Sequence, residues 1–588
     1  MNVLASRPWL SHYSPGVPAE VEIPDEPVCR GLEQAAARWP DRVAVDFFGA
    51  ETTYAELAAS VERAMAALHD LGVRAGDRVA LVLPNCSSHV VAFNALLRLG
   101  AVVVECNPTY TASELAHQFA DAGVSLAIVW TKTVPVALEA GDVMVSTAAP
   151  VVVSLDMTRD LPLRSRIALR LPVAKARTLR RAMRGPVPSH VPDWHALVRR
   201  AGRIDEPVPG PQADDVALLQ YTGGTTGTPK AAVLTHRNLV ANAVQGQAWA
   251  RFVEGEETVF GALPFFHAFG LTFCLTLSAR IGATVVAFPK FDAEAMVAAH
   301  ARRPATFIPG VAPMFDRIVT AAEAASTDLT GIRLAFAGAM PIPADTAARW
   351  EKATGGLLIE GYGLTETSPV ALGNPCSEDR RPGALGLPFP STDIRVVDPD
   401  SGEDGEPRDA APDATGTVRG ELLIRGPQVF QGYWNRPEET AHQLLEGGWL
   451  RTGDIVKVEP DGVATLVDRI KEMIISNGFK VYPSQVEDHL RAMPGVRDVA
   501  VVGLPGVGAD ERVAAAVVLE PDADDAGLRP LVDLAGLRTW GEQRLTRYAL
   551  PRVFAVVSEL PRSQLGKVLR RTVREDLIGR EDLEHYAQ

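Results

Sequence analysis

From residue 41 onward the chain alternates short runs rich in Val, Leu and Ala with longer stretches in which apolar residues recur every three or four positions. DRVAVDF precedes a helical pattern over Tyr54 to Leu71, DRVALVLP one over Ser88 to Leu99, and AVVVECNP one over Ala112 to Asp121, before SLAIVW. Runs that are apolar on both faces need cover on both sides, so this rhythm predicts parallel βαβ units layered by helices. The rhythm resumes at DVALLQY, ATVVAFPK, ATFIPG, RLAFAG and LLIEGYG, each followed by a loop or a helix. In such sheets ligands gather beyond the carboxyl ends of the strands.

After about residue 380 the pattern changes. DIRVVDPDSGEDGEPRDAAPDATG carries seven acids between Asp398 and Gly416 and predicts an exposed loop or hairpin tip. GELLIRG and DIVKVEPDGVATLVD, the latter turning at Asp461-Gly462, predict antiparallel β-structure. From Asp468 a small α/β pattern follows, with strands VRDVAVVGL, VAAAVVLE and RVFAVVSEL and helices near Ser484 to Met493 and Leu531 to Leu545. A chain of 588 residues exceeds what one hydrophobic core supports. The expected fold class is α/β: a large N-terminal domain of βα-layered sheets plus a small antiparallel β subdomain, residues 1–467, and a small C-terminal α+β domain, residues 468–588.

The run Thr258 to Ala279 has no Asp, Glu, Lys or Arg and is long enough to span a bilayer. Pro264 and His267 fall inside it and βα alternation continues on both sides, so a buried strand, loop and helix is the expected reading. At 47% hydrophobic and 22% charged, the composition is that of a globular protein. The net charge of −14 opposes general nucleic-acid binding, so any anionic ligand needs local donors. Five cysteines without a C-x-x-C spacing point to neither a disulfide framework nor a zinc site, and the start lacks a secretory apolar run; a cytoplasmic location is expected.

The candidate chemistry begins at YTGGTTGTPK, Tyr221 to Lys230, with three glycines and four threonines in ten residues. It is not a Walker A loop, because no glycine precedes Lys230 in a G-K-[ST] triplet. Glycines let successive N–H groups converge on an anion, threonines add hydroxyl donors and Lys230 adds a point charge. On these residues alone a solvated turn and a phosphate cradle stand as alternatives.

Six further motifs follow in the order shown by the AMP-forming acyl- and aryl-CoA synthetase family, which the chain resembles over nearly its whole length: LPFFH (Leu263 to His267), GYGLTET (Gly361 to Thr367), GPQVFQGYW (Gly426 to Trp434), WLRTGD (Trp449 to Asp454), DRIKEMIISNGFKVYP (Asp468 to Pro483) and LPRSQLGKVLRR (Leu560 to Arg571). The resemblance implies that Thr222, Gly223, Gly224, Thr225, Thr226, Gly227 and Lys230 form a phosphate loop. Tyr362 would lie on the adenine, Thr365 would donate to the α-phosphate, and Glu366 would bind a magnesium ion bridging phosphates. Gly338, Ala339, Glu360 and Gly361 would wall the adenine pocket, and Asp454 would accept from the ribose hydroxyls, with Arg469 as a matching donor. Asp468 and Lys471 would flank a pivot, and Gly478 would lie on a loop that faces the site after the pivot turns. Lys567, by itself an anonymous surface lysine, would supply the cation between the acid and the α-phosphate. A lone histidine in an apolar run is ordinarily a satisfied core residue; the resemblance puts His267 beside the acyl entrance.

The implied reaction has two halves: carboxylate plus MgATP gives an acyl adenylate and pyrophosphate, then coenzyme A attacks to give the thioester and AMP. A mobile C-terminal domain would deliver Lys567 for the first half and turn away for the second. LTHRN, EGYGLTET, GGWLRTGDI and NPTYTASELAHQ look most like bacterial long-chain fatty-acid:CoA ligases. Fatty acid, ATP and CoA are therefore the expected small-molecule partners. A fatty-acyl-AMP ligase serving a carrier protein, or a CoA ligase for an aryl acid, is the alternative, and a homodimer is a further candidate. The sequence departs from the family at Ala231, where a glycine is usual, and at GADERVAA, where a Gly-Glu pair is usual; neither change removes a reacting group.

Residues 164–184, RSRIALRLPVAKARTLRRAMR, hold eight basic residues, and no acid occurs from Leu161 to Pro192. Interleaved leucines and alanines make this either a solvated basic face or an interfacial segment drawn to the anionic inner face of a membrane.

Overall fold

The computed structural model describes residues 3–144, 148–204, 208–222, 229–338, 340–401, 406–476, 479–506, 511–520, 534–563, 566–580 and 584–585. The predicted alternation is realised as two large layered sheets. The first has nine strands in the order Leu387–Pro388, Val370–Gly373, Leu357–Gly363, Leu334–Ala337, Phe307–Gly310, Thr258–Gly261, Thr284–Ala287, Val43–Phe47 and Ala50–Thr53. The central strands, from Leu357–Gly363 through Val43–Phe47, run parallel, and antiparallel partners close both edges. The second sheet runs Val151–Leu155, Leu126–Trp130, Arg78–Val82, Val102–Glu105, Val216–Thr222 and Lys230–Thr235, all parallel except the last hairpin. Helices Tyr54–Asp70, Ser87–Arg98 and Ala112–Ala122 form where apolar periodicity predicts them. Thr53 and Thr111 cap two of these with reciprocal bonds to Glu56 and Glu114.

The apolar run at 258 breaks into a buried strand, a loop and a helix. Thr258–Gly261 is followed by a short turn, a π-helical segment Leu271–Thr276 and the helix Leu277–Ile281. Gly270 makes the turn possible, since a Cβ there would lie 2.1 Å from the carbonyl oxygen of Pro264. Among the described residues no helix is long and apolar enough to cross a membrane. All five cysteines are buried and unbridged.

An antiparallel sheet follows, formed by Asp393–Val397, Val418–Arg425, Trp449–Val458, Leu444–Leu445 and Ala464–Arg469. The expected turn at Asp461-Gly462 joins its last hairpin, with Gly462 at φ +86°. The pairing runs through Ile455↔Asp468 and Asp454↔Arg469, so the chain leaves this sheet only after Arg469. The C-terminal part then builds a ribbon, Ile474–Ser476 with Phe479–Val481, and a mixed sheet of Val496–Pro505, Glu511–Leu519, Val553–Val556 and Glu584–His585. Helices Pro483–Arg491, Leu534–Glu542 and Arg570–Ile578 complete it, giving the α+β texture expected.

Candidate active site

The hairpin Val216–Thr222 and Lys230–Thr235 delivers the phosphate-loop sequence at the carboxyl end of the six-stranded sheet. Thr222 pairs with Lys230, and the Thr222 hydroxyl donates to the Lys230 carbonyl at 3.4 Å. Gly223, Gly224, Thr225, Thr226 and Gly227 lie outside the described residues, as do Ala339 and Gly478. The loop's flanks are tied down. His117 Nε2 lies 3.1 Å from the Pro229 carbonyl, and the Tyr221 hydroxyl donates to Asp121 at 2.8 Å, whose carboxylate also pairs with Arg436 at 2.7 Å. A cleft of about 500 Å³ opens beside this flank, and Arg571 of the C-terminal part lines it with Pro229 and His117.

Lys230 reaches back toward the sixth motif, with its ammonium 5.4 Å from the ring centre of Tyr433 and 3.6 Å from Glu439. Tyr433 in turn donates to Glu366 Oε1 at 2.6 Å. Burial and the Glu366 charge push the Tyr433 phenol well above its ordinary value, so it stays a donor at neutral pH. Glu366 is buried on the short 3₁₀ turn Thr365–Thr367, and its backbone carbonyl accepts from Phe430 N–H at 2.9 Å. One carboxylate oxygen is thus oriented by Tyr433. A magnesium ion carried on phosphates takes one or two protein carboxylates rather than a full protein cage. Glu366 fits that demand, and among the described residues no cluster of three acidic, His or Cys side chains competes with it. Gly363 sets the turn before Thr365, for a Cβ there would fall 1.8 Å from the Pro369 carbonyl oxygen.

Tyr362 and Asp454 come from different sheets and meet in a buried bond, phenol to Oδ2, at 2.5 Å. Arg469 Nε lies 3.1 Å from Asp454 Oδ1 across the hairpin register that joins them. Burial raises the Asp454 carboxyl above its usual range, while Arg469 and Tyr362 act against that shift. Gly338 stands at the end of Leu334–Ala337, and a Cβ there would come 3.1 Å from the ring of Phe269. Glu360 spends its carboxylate on the frame: Oε1 accepts from Ile342 N–H at 2.9 Å, Oε2 from Gly383 N–H at 2.8 Å. The side chain of Glu360 thereby fixes the segment after Gly338 rather than standing free for a ligand, and Gly361 pairs with Gly373 beside it.

His267 caps the turn after Phe265 and Phe266, with Nδ1 accepting from Phe269 N–H at 3.3 Å. Burial lowers its value to about 4, so the ring is neutral at physiological pH. The same loop hangs on two buried amides that sequence reasoning did not single out. Asn85 donates to the carbonyls of Gly261 and Leu263 at 3.0 and 2.7 Å and accepts from Phe265 N–H at 2.8 Å, while Gln220 donates to the Phe266 carbonyl at 2.9 Å. Asn85 follows a predicted strand in VLPN, a position that reads as an ordinary turn; only the fold shows what it holds.

Lys567 approaches the Asp454 cluster from the C-terminal part. Its ammonium is 3.9 Å from Glu472 and feels both Arg469 and Asp454. Partial burial and Arg469 lower its value to about 8. Gly566, at φ +78°, brings the lysine loop against the N-terminal part, so that a Cβ on it would lie 3.4 Å from Met340 Cε, just past Gly338. Glu472 also pairs with Arg570, which bridges to Glu487 at 2.8 Å. Asp468 accepts from Arg469 N–H at 2.7 Å and from Ser484 N–H at 2.9 Å, and burial raises it to about 6. Lys471 is exposed beside it. The structure therefore gathers Tyr362, Asp454, Arg469 and Lys567 in one cluster and Lys230 with Glu366, through Tyr433, in another. Lys471 stands apart from both.

Comparison with known proteins agrees with this geometry. The chain is 37% identical to a long-chain-fatty-acid–CoA ligase of Escherichia coli O157:H7 over 98% of this chain and 99% of that one. It is 33% identical to a long-chain-fatty-acid–CoA ligase of Bacillus subtilis (strain 168) over 97% and 98% of the two chains. Among solved structures, ATP-bound MatB from Rhodopseudomonas palustris superposes with a TM-score of 0.75 at 28% identity, covering 94% of this chain and 99% of that one. The family described as AMP-binding enzyme matches residues 32–434 and its C-terminal domain matches residues 485–567, and the chain belongs to this family.

Proposed function

We propose that the protein activates a long-chain fatty acid with ATP, forming an acyl adenylate and pyrophosphate, and then passes the acyl group to coenzyme A with release of AMP. One observation carries this reading: a lysine of the C-terminal part approaches the Tyr362, Asp454 and Arg469 cluster in a chain that aligns end to end with curated ligases of this kind. ATP and CoA fit the family as substrates.

In this reading Thr222 to Lys230 cradle the phosphates, Tyr362 packs on the adenine, Asp454 accepts from the ribose and Arg469 orients Asp454. Glu366, held by Tyr433, is the protein ligand of Mg²⁺, which when bound neutralises phosphate charge. The entering carboxylate and the α-phosphate repel, and Lys567 offsets that repulsion most where charge concentrates at transfer. Neutral His267, on a loop fixed by Asn85 and Gln220, borders the acyl side without adding charge against the carboxylate.

The domain division we propose, 1–467 and 468–588, turns at Asp468, one residue before the last one the antiparallel sheet holds. Rotation there withdraws Lys567 and admits the thiol of CoA. We place the protein in the cytoplasm with access to an anionic bilayer surface through residues 164–184. Incubation with ATP, Mg²⁺, CoA and acids from acetate to oleate, with aryl acids alongside, tests the reading: AMP release should be greatest with long-chain acids. Pyrophosphate exchange without CoA-dependent thioester would instead identify an acyl-AMP ligase, and turnover confined to aryl acids would overturn the fatty-acid assignment.

A further inference from the structure

The segment between Val151–Leu155, an edge strand of the six-stranded sheet, and the strand Val216–Thr222 carries a surface that the proposed reaction does not use. Among the described residues fourteen large apolar side chains are exposed, and five of them, Leu163, Ile167, Leu171, Val173 and Leu179, fall in the 17 residues from 163 to 179. Leu163 is 68% exposed and Ile167 55%. Such side chains gathered in one stretch signify an interaction surface rather than scattered exposure. Five basic residues are interleaved with them and three more follow by Arg184, and no acid occurs from 161 to 192.

Local packing shows that this surface is presented rather than loose. The helix Ala174–Met183 turns Ala176, Arg180 and Met183, spaced i, i+4 and i+7, toward the protein. Ala176 is buried, Arg180 donates to the Leu169 carbonyl at 3.1 Å, and Trp130 Nε1 donates to the Met183 carbonyl at 2.8 Å. Arg184 pairs with Asp156 at 3.4 Å and Gly185 packs on Lys132. The outward face keeps Lys175, Arg177, Leu179 and Arg181. Among the described residues Arg184 alone of the eight basic side chains has an acidic partner. Cations left without acids beside bare leucines fit a phase that offers anions and hydrocarbon together.

We infer that residues 163–184 form a docking face for an anionic lipid bilayer, with Leu163, Ile167, Leu171 and Leu179 entering the interfacial zone and the arginines and Lys175 engaging lipid phosphates. A nucleic acid would match the charge but not the leucines, and the segment holds no aromatic ring for stacking on bases. The anchor points Trp130 and Asp156 lie at the ends of the strands Leu126–Trp130 and Val151–Leu155, on the same rim of the six-stranded sheet where Thr222 opens the phosphate loop. A bilayer held here lies along the rim that carries the nucleotide end of the site. The inference stands on this face and not on the substrate assignment.

The test uses the full-length protein and cosedimentation with vesicles of phosphatidylcholine alone or mixed with phosphatidylglycerol. Wild type should bind the mixed vesicles, bind phosphatidylcholine far less, and lose binding as salt rises. R164Q/R166Q/R170Q/R177Q should lower the partition coefficient on the order of 10²-fold and flatten the salt dependence. L163S/I167S/L171S/L179S should keep the salt dependence but lose about tenfold or more in binding. All of these side chains except half-buried Arg166 are exposed, and unchanged circular dichroism together with unchanged pyrophosphate exchange on a soluble short-chain acid would report intact folding. The inference is overturned if wild type ignores mixed vesicles, if either variant binds as wild type does, or if single-stranded DNA at the same salt competes the vesicles away. Vesicle binding with these dependences but no acid-dependent exchange would instead count against the proposed reaction alone.

Discussion

Replacing Lys567 with alanine should separate the two half reactions. The ammonium stands at the edge of the Asp454 and Arg469 cluster with its side chain 31% exposed. A unit charge at about 4 Å from a developing anion is worth about 4 kcal/mol at an effective dielectric near 20. Partial exposure lowers that, and about 3–4 kcal/mol remains, the range found when one preorganised donor to a transition state is removed. Adenylate formation should therefore fall about 10²–10³-fold. Local folding should survive, because Glu472 keeps Arg570 and Asp454 keeps Arg469 when the lysine is gone. Pyrophosphate exchange with palmitate, ATP and Mg²⁺ measures the first half, and thioester formation from supplied palmitoyl-AMP and CoA measures the second. The second should stay within about threefold of wild type, since in the proposed reaction the lysine is withdrawn before the thiol attacks. Equal loss in both halves, with an unchanged melting temperature, would refute the division of labour.

The value of about 8 for Lys567 sets a sign as well as a position. Because burial and Arg469 lower it, the cation is present below pH 8 and lost above. The alkaline limb of kcat/KM for adenylation should lie near pH 8, and that of kcat higher once bound phosphates favour the ammonium; a limb at the same pH in the thioester half would count against Lys567 as its source. Tyr433→Phe keeps the ring under Lys230 but removes the 2.6 Å bond to Glu366. A bond to a buried charge contributes about 1.5–3 kcal/mol, so exchange should weaken about 10–100-fold and require more Mg²⁺, whereas a Mg²⁺ dependence like wild type would detach Tyr433 from the metal. Asn85→Ala deletes three buried hydrogen bonds around Gly261, Leu263 and Phe265 and should cost about 3 kcal/mol or more in urea unfolding; a loss under about 1 kcal/mol would show that the loop is held elsewhere.

Strands buried on both faces were readable because little but β-branched and small apolar residues can occupy them. DRVAVDF, DRVALVLP and SLAIVW all became strands of the parallel layers. Ala50–Thr53 escaped because its residues, AETT, are polar and half exposed at a sheet edge, where pairing rather than burial decides. The glycine and threonine loop stood out by its composition, which on its residues alone left a solvated turn and a phosphate cradle open, and Glu366 was singled out through resemblance to the family. Tyr433 was not. In GPQVFQGYW an aromatic looks like core until the fold brings it to Glu366, 67 residues away in sequence. Asn85 and Gln220 stayed hidden for the same reason: a buried amide declares its task only through partners distant in the chain. Lys567 could be found only through resemblance, because a lysine after a loop glycine has no local mark of catalysis.

The charges around the pivot explain how one lysine could serve a step and then leave. Asp454 and Arg469 face each other at 3.1 Å across the last hairpin of the antiparallel sheet, with Arg469 the first residue past the Asp468 pivot. Glu472, Arg570 and Glu487 form a second group, all on the C-terminal side of Asp468. Lys567 joins the two groups, and its nearest acid is a long 3.9 Å away in its own half. Turning the C-terminal domain at Asp468 would break the exposed Lys480 to Asp400 pair and strain the Arg469 to Asp454 pair, but would leave the buried Glu472, Arg570 and Glu487 group intact, the kind of network that is expensive to open. It also gives up the weak attraction between Lys567 and Asp454, the packing of Gly566 on Met340 and the contact of Arg419 with the Tyr482 ring. A cation held this loosely is partly deprotonated before substrate arrives and gains its full charge when phosphates and a carboxylate fill the space beside it. In the proposed reaction the same ligands that need Lys567 would thus favour the closed domain, and their conversion to adenylate and departing pyrophosphate would remove the charge that holds it there.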